Sequence, residues 1–110
     1  MKKWQHHRDN NSAFCILPFS QSHINTDGSC HVCCVGDWDH ALSRDITKEG
    51  ILNIWRGDKY KKIRQQMLAG ERPAVCQGCY NLDDAAGGSD RSLLTNNFHD
   101  PHKDWDIDIE

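Results

Sequence analysis

Six cysteines fall in three groups along this 110-residue chain, and their spacing constrains it more than any other feature. Cys15 stands alone. Cys30, Cys33 and Cys34 follow an Asp27-Gly28 pair, and Cys76 and Cys79 form a C-x-x-C. Two cysteines separated by two residues can aim both sulfurs at one centre, because the chain turns back on itself between them. When further cysteines arrive from a distant segment, four sulfurs can form a tetrahedron. Tetrahedral sulfur belongs to zinc or to an iron–sulfur cluster.

Composition says why such a centre would be needed. Leu, Ile, Val and Phe together number 21, just under a fifth of the chain. That is the level at which disorder becomes a concern, although the rule also asks for a high net charge and here it is only −3. One small domain with a thin core is expected, helped by four Trp residues and by a covalent or coordinate staple. Disulfides are the rival staple. Residues 1–11 are polar and charged, with no apolar export signal, so a cytoplasmic setting is expected, in which cysteine clusters act as ligands. No run approaches 18 apolar residues, so no membrane span is expected. The slightly acidic balance and the lack of a long Lys/Arg run argue against a nucleic-acid surface.

The expected fold class is α+β: a small metal-stapled domain with a β-hairpin followed by two or more short helices. Residues 1–13 read as a polar lead-in with Trp4 its only large apolar residue, residues 14–80 as the metal-binding domain, and residues 81–110 as a helical linker and tail. The run FCILPF at 14–19 is broken by Pro18 and reads as an extended or turn segment. Segments 22–26 and 29–32 flank Asp-Gly, a hairpin signal that would deliver Cys33 and Cys34 past the second strand. Thr47 is the expected N-cap of a helix carrying Ile51, Leu52, Ile54 and Trp55 and ending near Gly57. A second helix is expected over 59–69 with Asp58 as cap. It carries Tyr60, Ile63, Met67 and Leu68 on one face, with Gly70 as its stop and Pro73 beyond. Residues 80–86 read as a helical turn, 87–88 as a hinge, and Ser89 as the cap of a last helix to Asn96. In the tail, Trp105, Ile107 and Ile109 alternate with Asp106 and Asp108 like a half-buried strand.

Three stretches carry a family resemblance: FCILPF, then INTDGSCHVCC, then ITKEGILNIWRGDKYKKIRQQMLAGERPAVCQGC. A lone Cys before an aromatic-proline turn, a D-G hairpin ending in C-C, an E-I-W-type helix, a K-x-x-R helix and a closing C-x-x-C resemble the SPASM/twitch domain. These are the auxiliary iron–sulfur domains of radical S-adenosylmethionine (radical SAM) enzymes. The resemblance runs over about 14–98, and the stretch after Cys79 resembles the linker that joins such a domain to a radical SAM core. It implies Cys15, Cys33, Cys76 and Cys79 as the four thiolates of a [4Fe–4S] cluster, with Cys34 the alternative to Cys33. Four thiolates complete the cluster's coordination and leave no open iron. The catalytic motif C-x-x-x-C-x-x-C does not occur: Cys30 and Cys34 have the first spacing, but position 37 is Asp37. The chain is therefore expected to act with a radical SAM core, in a longer chain or a separate protein. No catalysis of its own is expected, and a peptide or small molecule is the substrate class.

Other readings stay open on the residues alone. A four-cysteine zinc (Zn) site in an interaction module uses the same ligands. A thiol oxidoreductase would use Cys76 and Cys79, but no βαβ pattern surrounds them. Cys30 reads as a spare thiol, and His23 and His31 as strand or surface residues. His6, His7, His99 and His102 read as solvated, as do Asp83, Asp84, Asp104, Asp106 and Asp108. Trp38 and Trp55 read as core tryptophans that could also shield a centre. Arg64 and Arg72 read as exposed basics that could tune an anionic one.

Overall fold

The computed structural model describes residues 3–33 and 41–98. Cys34, Asp37, Trp38, His99, His102 and the alternating tail at 104–109 lie outside the described residues. The architecture is α+β, with one two-stranded antiparallel hairpin among short helices. Among the described residues no helix is long and apolar enough to cross a membrane.

The thin core divides into two clusters. Trp4, Phe14, Cys15, Ile16, Leu17, Phe19 and Met67 form one. Cys30, Val32, Leu42, Ile54, Tyr60 and Val75 form the other. Helix α5 (Asp58–Leu68) stands between them. Its stripe sends Met67 into the first cluster and Tyr60 into the second, and Ile63 packs against both. A stripe at i, i+3 and i+7 serves both clusters because those positions share one face.

The amino-terminal segment is not a lead-in. Lys3–Asn10 form α1, and Trp4 is 2% exposed in the first cluster, edge-on to Phe98 with ring centroids 5.2 Å apart. His7, expected to be solvated, stacks on Phe14 at 5.4 Å, and burial followed by the neighbouring His6 lowers its pKa. Asn11 then turns the chain. Its side-chain amide donates to the Met67 carbonyl (2.7 Å) and its side-chain oxygen accepts from the Ala13 amide (3.1 Å). The FCILPF run holds a short helix, α2 (Leu17–Ser20), with Pro18 in its first turn, where a missing N–H leaves no bond unmade.

Strands β1 (His23–Ile24) and β2 (Cys30–His31) pair His23 with His31 and Ile24 with Cys30. They are shorter than expected. Asp27 accepts from the Ser29 amide (2.9 Å) and hydroxyl (2.7 Å), and Gly28 takes φ 89°, a conformation glycine adopts without a side-chain clash. Residues 42 and 43 return to β2, where the Cys30 amide donates to the Ser43 carbonyl and the Leu42 amide to the Cys30 carbonyl, both at 2.8 Å.

The helix expected near 47–57 is two, α3 (Ile46–Glu49) and α4 (Ile51–Trp55), divided at Gly50 with φ 80°. Asp45, not Thr47, is the cap: its carboxylate accepts from the Thr47 amide at 2.9 Å. Arg64 is no exposed basic. Its guanidinium lies 4.3 Å from the Trp55 ring centroid and 4.4 Å from that of Tyr60, and donates to the Pro18 and Trp55 carbonyls at 2.8 and 2.9 Å. One side chain thereby ties α2, α4 and α5 together. A 3-10 turn (Ala74–Cys76) leads into α6 (Gln77–Ala86), and α7 (Asp90–Asn96) follows, with the Ser89 amide donating to Ser92 Oγ at 2.9 Å.

Candidate metal centre

Each cysteine group arrives on a different piece of backbone. Cys15 lies on the irregular stretch between the Asn11 turn and α2, 6% exposed. Cys33 stands two residues past β2. Cys76 ends the 3-10 turn as the N-cap residue of α6, and Cys79 sits in the first turn of that helix. The fold brings these segments together. Cys33 and Cys76 both pack against each of the two core clusters, so they stand at the seam, and Cys15 belongs to the first cluster. Cys79 is half-buried. Cys30 faces the second cluster, fully buried, with its thiol pushed up by burial. The five described cysteines are thiols, with no disulfide between them.

Electrostatics report the same convergence. Burial pushes the Cys15 thiol up to about 11, while hydrogen bonds from the Leu17 amide and Thr95 hydroxyl pull the other way. Cys76 is pushed up to about 12, first by burial and then by Cys15, Cys33 and Cys79, each of which would place a like charge beside it. Thiolates crowded into a dry seam repel one another unless a cationic centre binds them together. Soft sulfur donors in such a seam fit an iron–sulfur cluster, whose irons would supply that charge. Among the described residues no three His, Cys, Asp or Glu side chains are grouped as ligands of one metal ion, so the seam gathers the sulfurs without closing a single-ion site.

The raised thiols have a measurable consequence for the metal-free chain. A folded pKa above the unfolded value of 9.0 means that the native state keeps its protons longer, so stability falls as pH rises. The metal-free chain is expected to be stable to about pH 9 and to lose stability from there toward about pH 12. Cys15 alone contributes on the order of 3 kcal/mol, from a shift of about two units at 1.36 kcal/mol each. Urea midpoints measured across this range check it. A flat profile would mean the two thiols are not held in an apolar, mutually repelling setting.

Three side chains that the sequence reading passed over hold Cys15 in place. Tyr80 Oη donates to the Ala13 carbonyl (2.7 Å), Arg91 Nη1 to the Phe14 carbonyl (2.5 Å), and Thr95 Oγ1 accepts from the Ile16 amide (3.1 Å). Tyr80 is fully buried, and burial followed by Cys76 and Cys15 raises its phenol. Its place next to Cys79 was the one local signal for this role. Nothing near Arg91 or Thr95 in sequence marks them, because their contacts close loops of 77 and 79 residues. Asp83 is a correction. Read as solvated, its side chain is 14% exposed and bonds Arg91 Nε at 2.6 Å. Burial pushes its carboxyl up, but hydrogen bonds led by Arg91 outweigh that and hold it below the ordinary value. Arg72 pairs at the surface with Asp84 at 2.7 Å and lies 4.9 Å from the Tyr80 ring centroid.

The family model SPASM, an iron–sulfur cluster-binding domain, matches residues 15–80, more than half of the chain. The chain belongs to the SPASM family. Membership implies that it binds an iron–sulfur cluster, and the match begins at Cys15 and spans both later cysteine groups. No curated protein and no solved structure matches the chain.

Proposed function

We propose that this SPASM chain holds one [4Fe–4S] cluster on Cys15, Cys33, Cys76 and Cys79, with Cys34 the alternative to Cys33. It serves as an auxiliary domain, an electron relay or substrate-docking unit, for a radical SAM core acting on a peptide or small molecule. The observation that carries the reading is the seam: three distant cysteine segments meet where the two core clusters touch, inside the span that the SPASM family matches. Four thiolates saturate a cubane, so the cluster would supply electron transfer or structural support without an open iron. The protein's own part is to exclude water through Phe14, Ile16 and Val75 and to hold the sulfurs in register. A cytoplasmic setting, where cysteine clusters act as ligands, is part of this reading.

Anaerobic reconstitution with iron and sulfide tests the reading. The loaded chain is expected to be brown, with about four irons and four sulfides per chain, as a saturated cubane requires. On its own it is expected to release no 5′-deoxyadenosine from S-adenosylmethionine, because it lacks C-x-x-x-C-x-x-C. A colourless protein with one zinc would instead support the four-cysteine interaction module, and 5′-deoxyadenosine from this chain alone would refute the auxiliary assignment.

A further inference from the structure

Arg91 is built into the fold as few surface cations are. Its side chain is 13% exposed and spans two elements, bonding Asp83 of α6 through Nε at 2.6 Å and the carbonyl of Phe14, the residue before Cys15, through Nη1 at 2.5 Å. Ser92 Oγ donates to the other Asp83 oxygen at 3.0 Å. The guanidinium lies 6.0 Å from the ring centroid of Tyr80, the residue after Cys79. It therefore sits between the peptides flanking two of the proposed ligands, with its positive charge paired to the Asp83 carboxylate.

We propose that Arg91 is the positioning residue of the centre: it locks the Cys15 peptide in place, and its charge, attenuated by Asp83, sets the reduction potential of the bound cluster. The inference rests on the cluster reading above and deepens it. An anionic cluster gains further negative charge on reduction, so a fixed cation nearby stabilises the reduced form, and the low local dielectric strengthens the effect. Asp83 opposes this, which makes the Arg91–Asp83 pair a two-sided control.

The test compares the wild-type chain with Arg91→Met, Arg91→Lys and Asp83→Asn, each reconstituted anaerobically and titrated by spectroelectrochemistry. At fixed applied potential, Arg91→Met should shift the reduced-to-oxidised ratio about ten-fold toward the oxidised cluster, equivalent to about 59 mV for one electron. Arg91→Lys, which keeps the charge and loses the fork, should restore most of that shift. Asp83→Asn should move the ratio the opposite way. Equal ratios in all four loaded proteins, or shifts of the same sign in Arg91→Met and Asp83→Asn, would overturn the proposal and leave Arg91 a purely structural brace. Should Arg91→Met fail to load, Asp83→Asn still decides the sign: a ratio unmoved or moved toward the oxidised cluster would overturn the proposal. A wild-type chain that takes up no iron would sink the cluster reading itself, a result distinct from a loaded cluster with an unmoved potential.

Discussion

Substituting Cys76→Ser is expected to abolish stable cluster loading, with bound iron falling more than about ten-fold and the loaded chain's thermal midpoint dropping toward that of the metal-free protein. Cys76 packs against both core clusters with Cys15, Cys33 and Cys79 as charged neighbours, which is why we propose its sulfur as the central ligand. Metal binding contributes folding free energy when the ligands close long loops, and here 60 residues separate Cys15 from Cys76. The matched control is Cys30→Ala. Cys30 is fully buried yet faces the second cluster, so its loss should cost about 1–2 kcal/mol of packing and leave the iron content unchanged. Iron analysis and thermal melts of the three proteins decide the matter. Undiminished iron in Cys76→Ser would remove Cys76 from the ligand set.

Trp4→Ala is expected to cost about 3–5 kcal/mol, a large share of a small domain's roughly 5–15 kcal/mol. The indole is 2% exposed and packs edge-on against Phe98, so it joins residues near both ends of the described chain to the cluster that contains Cys15. Urea unfolding of the metal-free chain measures the loss. An unchanged midpoint would mean that α1 does not belong to the folded unit.

Much was legible because its causes are local. The Asp27-Gly28 hairpin, the stripe of α5, and the Ser89 start of α7 depend on residues within a few positions of one another, where turn chemistry and helical period operate. Where local signals compete, the reading slipped by a residue or more. Asp45 took the cap expected at Thr47 because a carboxylate two residues earlier reached the same amide, and Gly50 then divided one expected helix into two. Pro18 suggested a break, but a proline in a first turn costs no hydrogen bond, so α2 formed around it.

By itself the sequence determined the chemistry of the centre: sulfur donors at knuckle spacing, in a chain too poor in aliphatic residues to rely on its core. It could not disclose which side chains surround those sulfurs. Helix α1 carries one large apolar residue, too few to mark an amphipathic face, and its burial depends on Phe98 across 94 residues. Asp83 reads as solvated charge, and Arg91 carries no mark at all, until α6 and α7 pack together and desolvate them as a pair. The grip on Cys15 by Tyr80, Arg91 and Thr95 likewise exists only after loops of 67 to 79 residues have closed. Spacing along a chain encodes what nearby residues can bind, whereas burial and charge at a site are set by whichever distant surfaces packing brings against it, and only the tertiary structure decides that.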